Sequence, residues 1–404
     1  MTTAAPAAQT TRRDAISPWL LLVLALLNAV APVATDLYLP AFPEMTAELQ
    51  ASATAVQLTL TAFLLGLTFG QLLFGPLSDR LGRRGPLIVG ALLCVVASVV
   101  AATAPNIAVL VAARFAQGFT GAAGMVIGRA VISDLASGKA AGRAFSLMMI
   151  VGGVAPVVAP FAGGLLVGPV GWRGIMWVVC GITVAMLVAS VAAVRESHPA
   201  HRRAQLKADA AQGDSPWSAL RSRAYIANTL AFAFGFSVMM AYISASPFVY
   251  QVMVGLTPTQ YGIAFGVNAL GIIAASSLSA RLNRTISSTT LLGVGLGATM
   301  VATLVLLALV LTSAPTWLIP IPIFVTVACQ GLILGNATAL ALAAVPRAAG
   351  SGSAGLGALQ FGLGAAVSPL VGLGGEHTAL PLAVVMVTLS VLAIAAFLAG
   401  RRVS

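Results

Sequence analysis

GPLSDRLGRR, residues 75–84, is a charged stretch between two long apolar runs, and a reduced copy of it, LSARLNR, occupies residues 278–284. Two further pairs keep the same order along the chain: Gln117-Gly118 with Gln330-Gly331, and APFAG at 159–163 with SPLVG at 368–372. The members of each pair lie about 200 residues apart, as expected for a duplicated six-helix unit in parallel orientation. The chain is therefore predicted to consist of two related halves.

The composition indicates a protein that faces lipid. Of its 404 residues, 59% are hydrophobic and only 8% are charged, whereas soluble domains carry roughly 25% charged residues. The net charge of +11 comes from short basic clusters between apolar runs, so no continuous basic face is available to follow a nucleic acid. Cys94, Cys180 and Cys329 lie inside apolar runs without a CxxC partner or a nearby His, and neither a disulfide framework nor a metal site is predicted.

Apolar runs long enough to cross a bilayer recur twelve times, because a crossing helix needs about 20 such residues. These runs are at 17–38, 54–76, 86–104, 107–131, 144–167, 173–194, 224–248, 258–280, 289–312, 316–343, 352–373 and 379–399. We predict an all-α membrane protein with a tail at 1–16, a six-helix bundle at 17–194, a flexible linker at 195–223 and a second bundle at 224–404. The His and Asp residues of the linker have no fixed geometry that would favour metal binding.

The basic residues predict the orientation, because Lys and Arg accumulate on the cytoplasmic side of a membrane protein. Of the 21 Lys and Arg residues, all but Arg114, Arg129 and Arg173 fall on one side when the twelve runs alternate in direction. Both termini are therefore predicted to be cytoplasmic, with Arg173 outside and the other two exceptions inside the fourth helix.

Asp36 and Arg114 are the charged residues predicted to lie deep in the membrane. An acid at mid-membrane costs about 2.5–3.5 kcal/mol, and facing a cavity to bind protons or cations is the usual compensation. Alternatively, the first helix ends near Asp36 and leaves it as an interfacial residue, which Pro40 and Pro43 would permit. Arg114 lies about 12 Å in from the external end of its helix and would couple to Asp36 across a low-dielectric cavity. Its alternative role is to donate to backbone carbonyls in helix packing, together with Gln117.

The charged loop and the fifth helix supply candidates for conformational change. Asp79 can pair with a base such as Arg129 and hold one side closed in one state, although the loop charges also serve to orient the chain. The predicted gate residues are Gly75, Asp79, Arg80, Gly82, Arg83, Arg84 and Arg129. In the fifth helix, Pro156 and Pro160 each remove a hydrogen bond, and Gly163 and Gly164 reduce its width.

Enzymatic chemistry is not indicated by the sequence. No Ser-His-Asp set, paired carboxylates or metal-ligand cluster is visible. The Gly-rich run at 350–364 has no Lys at the spacing of a phosphate-binding loop, and Glu376 with His377 is interpreted as a solvated turn. No cofactor is predicted.

Several of these motifs resemble those of a known family. GPLSDRLGRR resembles the loop signature of major facilitator superfamily transporters, and RFAQG at 114–118 resembles the helix-four signature of its proton-coupled members. APFAGG at 159–164 is similar to the antiporter signature, with Ala159 where that motif usually has Gly. Within the twelve-helix drug:proton antiporters, TDLYLPAFP at 35–43, GRAVISDL at 128–135 and GWR at 171–173 resemble the bicyclomycin and chloramphenicol resistance (Bcr/CflA) branch.

The resemblance implies a monomeric major facilitator fold in a bacterial inner membrane that exports small amphipathic drugs in exchange for protons. It implies that Asp36 binds the proton, that Arg114 transmits protonation, and that Asp79, Arg80 and Arg83 form the inner gate. A metabolite or sugar transporter of the same fold is the alternative function. Ala280 and Val327 stand where Asp79 and Arg114 would repeat, so coupling is predicted in the first half. The predicted cavity residues are Tyr38, Gln117, Tyr242, Asn268, Gln330, Asn336 and Gln360.

Overall fold

The computed structural model describes residues 17–136, 138–199, 221–345 and 349–401. The predicted tail at 1–16 and residues 200–220 of the predicted linker lie outside this range. Every regular element in the described residues is helical, as predicted. A helix satisfies its backbone hydrogen bonds internally, which is what a segment crossing hydrocarbon requires.

The first half contains six helices that we call α1 to α6: Pro18–Asp36, Phe42–Glu48, Ala53–Leu81, Arg84–Ala102, Ile107–Leu135 and Gly138–Ala193. The second half contains α7 to α12: Arg223–Pro247, Pro258–Leu282, Ser288–Leu311, Pro320–Ala343, Ala349–Val371 and Leu380–Arg401. A π-helical turn at Phe248–Met253 extends α7. Short polar residues begin several helices: Ser17, Ser52 and Asn106 each accept a hydrogen bond from a backbone N–H of the first turn, which satisfies a donor that the helix leaves free.

Helix α6 accounts for two crossings. Within the described residues, 11 helices are long and apolar enough to span a membrane, one fewer than the twelve predicted runs. However, α6 has 56 residues, about 84 Å of helix against a hydrocarbon core of roughly 30 Å. The chain bends at Gly171, where φ is 64°, a value that favours glycine.

The packing of α6 shows that the chain turns back at Gly171. Ala144 and Val194, on either side of this bend, belong to one hydrophobic cluster, whereas Trp172 beside the bend belongs to another. The chain therefore leaves one side of the bundle and returns to it. The predicted runs at 144–167 and 173–194 are these two crossings, and the prediction of twelve crossings in two halves is confirmed.

The helix ends define two faces of the bundle. The terminal face carries the start of α1, the turn between α3 and α4, and the end of α12; the distal face carries α2, the bend at Gly171 and the start of α8. Arg83, Arg84 and Arg281 lie at the terminal face, whereas Glu44 and Glu48 lie at the distal face.

Hydrophobic packing differs between the two faces. On the distal side one cluster joins both halves and includes Tyr38 and Trp172 with Phe248 and Tyr261. Toward the terminal face the core divides into two clusters. One belongs to the first half, around Leu24 and Val194, and the other to the second half, around Phe232, Leu296 and Phe397. The halves are therefore held together mainly on the distal side.

Hydrogen bonds between the halves also lie on the distal side. Gln57 Nε2 donates to the carbonyl of Ser244 at 3.0 Å, and Ser368 Oγ donates to the carbonyl of Gln57 at 3.2 Å. The other pairs are Thr54 Oγ1 with Gly372 O, Thr61 Oγ1 with Ala365 O, Gln251 Nε2 with Pro40 O, and Thr259 Oγ1 with Gly164 O. We call this set the distal seam. Because all of its groups are neutral, the seam closes the distal face without an ion pair.

Candidate functional site

A cavity of about 350 Å³ lies between the two halves, on the terminal side of the distal seam. Helices α1, α3, α5 and α6 line it from the first half, and α7, α8, α10 and α11 line it from the second. Its walls are mostly aliphatic, aromatic and Met side chains, and the polar side chains among them are those of Thr35, Asp36, Tyr242, Asn268 and Gln360. Asp36 is the only charged residue among the described residues that line it. Such a site suits amphipathic small molecules.

Asp36 reaches the cavity from the last position of α1. The N–H of Leu37 closes the final turn of this helix on the carbonyl of Val33. The Asp36 side chain is buried, and its Oδ1 accepts a hydrogen bond from Thr35 Oγ1 at 3.0 Å. Asp36 thus ends its helix, as the alternative expected, but it is buried and lines an internal cavity rather than an interface.

Arg114 lies behind the cavity wall. Its side chain is fully buried, and Nη2 donates to the carbonyl of Ala34 at 3.0 Å. Nη1 donates to Gln117 Oε1 at 2.5 Å. The guanidinium carbon lies 4.4 Å from the ring centroid of Tyr38 and 4.3 Å from that of Phe63, which are favourable cation–π distances.

These contacts define the position of Arg114 relative to Asp36. Among the ion pairs of the described residues, none joins Arg114 to Asp36, because Arg114 is directed at the backbone of α1 two residues earlier. The alternative role of helix-packing donor is the one that the geometry supports. Arg114 therefore contacts the α1 segment that carries Asp36, rather than Asp36 itself.

The residues that were predicted to line the cavity fall into two groups. Tyr242, Asn268 and Gln360 line the cavity, whereas Tyr38, Gln117, Gln330 and Asn336 do not. Tyr38 and Gln117 surround Arg114, and Gln117 Nε2 also donates to Ser98 Oγ at 2.7 Å. Gln330 is buried within the second half and bonds its own helix at Thr326 O. Asn336 Nδ2 donates to Ser279 Oγ at 2.8 Å, so it joins α10 to α8 away from the cavity.

Arg83 is the centre of the charged cluster at the terminal face. Its Nη1 donates to Asp79 Oδ1 at 2.5 Å, and its Nε donates to Asp134 Oδ2 at 2.9 Å. The two oxygens of Glu196 accept hydrogen bonds from the backbone N–H groups of Arg83 and Arg84, at 2.9 and 3.2 Å. Although burial by itself lowers the pKa of Arg83, the hydrogen bonds to Asp134 and Asp79 raise it above its ordinary value, and the guanidinium stays charged.

The other predicted gate residues lie at different positions and make different contacts. Arg129 Nε donates to the carbonyl of Met125 at 3.1 Å, so among the described ion pairs Asp79 pairs with Arg83 rather than with Arg129. Arg80 is exposed at the end of α3. Gly82 ends that helix with φ at 98°, where a side chain would be strained. Gly75 lies within α3 opposite Val126.

Asp134 and Glu196 were not selected by the sequence reasoning. Asp134 was visible only as a letter of GRAVISDL, and Glu196 only as the second residue of the linker. The structure brings them to Arg83 from 51 and 113 positions away, a proximity that local sequence does not encode.

We expect the two carboxylates on Arg83 to differ in their contribution to stability. The Asp134 side chain is 11% exposed and that of Asp79 is 63% exposed. Asp134→Asn should lower the free energy of unfolding by about 1.5 kcal/mol, as for a buried hydrogen bond to a charged group. Asp79→Asn should lower it by less than about 0.5 kcal/mol, because exposed pairs are screened. Denaturant unfolding of the two variants in the same detergent compares them, and equal losses would contradict this ranking.

The predicted motif of α6 contacts both halves. A Cβ on Gly163 would collide with the carbonyl oxygen of Leu37 in the first half, and one on Gly164 with the carbonyl oxygen of Pro258 in the second. Pro156 lines the cavity, and the carbonyl of Pro160 lies close to Gly262 of α8. This part of α6 therefore approaches α1 and α8 at backbone distance, as small residues allow in membrane helices.

Twelve crossings in two halves around a shared cavity have the architecture of a membrane transporter. The sequence model of the Major Facilitator Superfamily matches residues 24–369. The chain belongs to this superfamily of transporters, whose members are not enzymes.

Three bacterial relatives align over most of the chain. An uncharacterized MFS-type transporter of Bacillus subtilis, YdgK, is 38% identical over 377 residues, which cover 93% of each chain. A bicyclomycin resistance protein homologue of Haemophilus influenzae is 30% identical, covering 92% of this chain and 94% of the relative. A chloramphenicol resistance protein of Pseudomonas aeruginosa is 31% identical, covering 78% and 76%. The resemblance to the bicyclomycin and chloramphenicol resistance branch is thereby confirmed.

The fold is shared with solved transporters. A bacterial homologue of the human lysosomal transporter Spinster, in an inward-facing and unoccupied conformation, superposes with a TM-score of 0.72. The alignment covers 95% of this chain and 98% of that one at 18% sequence identity. At this identity the likeness concerns the fold alone, and it agrees with the predicted major facilitator fold.

Proposed function

We propose that the chain exports small amphipathic drugs, such as phenicol-type antibiotics, across the inner membrane in exchange for protons by alternating access. The observation that carries this proposal is the carboxylate of Asp36, the one charged group among the described residues that line a mostly apolar cavity between two halves. The names of the relatives from Haemophilus influenzae and Pseudomonas aeruginosa support drugs as the substrate class. The same lining argues against a sugar, which would need many more polar side chains around its hydroxyl groups.

The described conformation then corresponds to an inward-facing state. Among the described residues, the terminal face carries most of the basic side chains, and the bias of Lys and Arg supports a cytoplasmic position for this face. The distal seam closes the opposite, external face. Within the described residues, the hydrogen bonds between the halves lie only in that seam. A drug would enter the cavity from the cytoplasm or the inner leaflet.

Proton coupling follows from the cost of sealing a charge inside the cavity. While the cavity is hydrated, ionised Asp36 is solvated; once both faces close, its negative charge lies among apolar walls at a cost of several kcal/mol. A proton neutralises the carboxylate for the inward passage of the carrier without drug. On the outward passage a bound drug takes the place of the proton by offering the carboxylate a hydrogen-bond donor or a positive charge. Each charge crossing 100 mV supplies about 2.3 kcal/mol, enough for a roughly fifty-fold drug gradient. In this proposal the transporter needs no cofactor, and it functions as a monomer.

Transport by purified protein in proteoliposomes tests this function. With protein inserted in the inside-out orientation, an acidic lumen should drive uptake of radiolabelled chloramphenicol, and a protonophore should abolish it. Protein-free liposomes control for passive partition of the drug. Drug uptake that requires the protein but ignores the pH gradient would contradict proton coupling. If the protein moved neither chloramphenicol nor other amphipathic drugs, drug export would be contradicted.

A further inference from the structure

We propose that Tyr242, oriented by Asn268, forms a hydrogen-bond-donating subsite on the second-half wall of the cavity, which binds an uncharged oxygen acceptor of the substrate. This inference rests on the proposed function, because it specifies the substrate class of the same cavity. The two halves of the cavity wall would then recognise different chemical groups. Asp36 on the first half binds protons, cations and hydrogen-bond donors, while Tyr242 on the second half binds acceptors.

The hydrogen bonds of Asn268 leave the Tyr242 hydroxyl able to donate. Nδ2 of Asn268 donates to the hydroxyl oxygen of Tyr242 at 2.8 Å and to that of Tyr250 at 3.2 Å. Each phenolic oxygen thus accepts a hydrogen bond and retains its own hydrogen for another partner. Tyr242 and Asn268 both line the cavity, whereas Tyr250 does not. An acceptor inside the cavity is therefore available to the hydroxyl of Tyr242.

Aromatic packing fixes the position of this donor. The Tyr242 ring stacks on Phe265, with ring centroids 5.4 Å apart and an interplanar angle of 28°. Tyr250 contacts the ring of Tyr261 edge-on at 6.1 Å. Tyr242 and Asn268 are 2% and 3% exposed, so neither side chain has much freedom to lose when a ligand binds. A donor that is already ordered costs little further entropy on binding, which favours selective recognition.

The charges around the cavity define which substrates fit. Among the described lining residues there is no cation to neutralise an anionic drug, and Arg114 lies behind the wall with its guanidinium between Tyr38 and Phe63. A carboxylate or sulfonate in the cavity would face Asp36 and lose its hydration without a counter-ion. The structure therefore assigns uncharged or cationic amphipaths, and an amide, nitro or hydroxyl oxygen is the group that Tyr242 would bind.

Two probes of different chemistry test the subsite. Chloramphenicol is uncharged and carries several oxygen acceptors, whereas tetraphenylphosphonium is a cation without any hydrogen-bonding group. For Tyr242→Phe we expect the Kd of chloramphenicol to rise about five-fold, as for one neutral hydrogen bond, with no change for tetraphenylphosphonium. Tyr261→Phe is the matched control, because Tyr261 loses a hydroxyl that bonds Ser246 outside the cavity, and neither Kd should change. Equilibrium binding to purified protein in detergent gives both constants.

A second variant supports the same test. Asn268→Leu keeps the same branched skeleton of side-chain heavy atoms but no longer orients the Tyr242 hydroxyl, and it should also weaken chloramphenicol binding selectively. Equal weakening of both probes in Tyr242→Phe and Asn268→Leu would show a general packing defect and overturn the subsite. Unchanged chloramphenicol binding would overturn it as well. If wild-type protein binds neither probe, the proposed drug transport fails, whereas wild-type binding without loss in the variants overturns the subsite alone.

Discussion

We expect Asp36→Asn to abolish chloramphenicol transport driven by a pH gradient and to leave the protein folded. Asn retains the size of the side chain and a carbonyl oxygen that can accept the hydrogen bond from Thr35 Oγ1, which is 3.0 Å from Asp36 Oδ1 in the wild type. It has no protonation step, so the cavity keeps the same charge throughout the cycle. In proteoliposomes, the drug gradient should fall from a limit of roughly fifty-fold per 100 mV to about one.

The control for this prediction is the same chemical change at Glu376. That carboxylate lies in the turn between α11 and α12, outside the large cavity, and Glu376→Gln should transport as the wild type does. Exchange of labelled for unlabelled drug without a proton gradient should persist in Asp36→Asn, which shows that the variant still moves between states. Full pH-driven transport by Asp36→Asn would remove the assignment of Asp36 as the proton carrier.

Gly163→Ala should cause the largest loss of stability of any small substitution proposed here. A Cβ at this position would collide with the carbonyl oxygen of Leu37, and a backbone atom cannot rotate away as a side chain can. Helices α1 and α6 would have to separate beside Asp36. Overpacking of this kind costs up to about 3 kcal/mol. We expect a clearly lower Tm in detergent, together with reduced transport, because the end of α1 is displaced.

Gly181→Ala is the matched control on the same helix. A Cβ there would meet nothing within 4 Å, and replacing a helical Gly by Ala adds about 0.5–1 kcal/mol of helix propensity. The two substitutions should therefore change the Tm in opposite directions. If Gly163→Ala proved as stable as Gly181→Ala, the close approach of α6 to α1 described above would be incorrect.

The fold could be predicted from the sequence because lipid imposes a simple rule. Long apolar runs separated by charged or Gly- and Pro-containing turns indicate crossing helices. The repeated motifs indicate that these helices are grouped into two halves. The bend in α6 falls between the predicted runs at 144–167 and 173–194, where Pro169 and Gly171 interrupt an otherwise apolar stretch. Asp36 was also identified, because an acid in such a run is costly and therefore rare.

The partners of individual side chains could not be predicted in the same way. The sequence places Gln117 and Gln330 on apolar helices but does not say which faces of those helices meet the cavity, and both are committed to other contacts. Arg83 was expected in a cluster, but its closest buried carboxylate belongs to Asp134, which comes from the far end of α5. Arg114 donates to a backbone carbonyl. Every residue carries such a carbonyl, so the sequence does not indicate which one is the partner. These outcomes depend on tertiary packing rather than on local pattern.

The division of the cavity wall has an evolutionary consequence. The carboxylate belongs to the first half, while the second half contributes only neutral polar and apolar side chains. On the proposed function, mutations in the second half alter the compounds that are accepted, while Asp36 keeps the coupling to protons. In a chain built from two duplicated halves, the second half can in this way diversify under selection by new toxins while the first half is conserved. Resistance spectra of related proteins should accordingly vary with α7, α8 and α11 more than with α1.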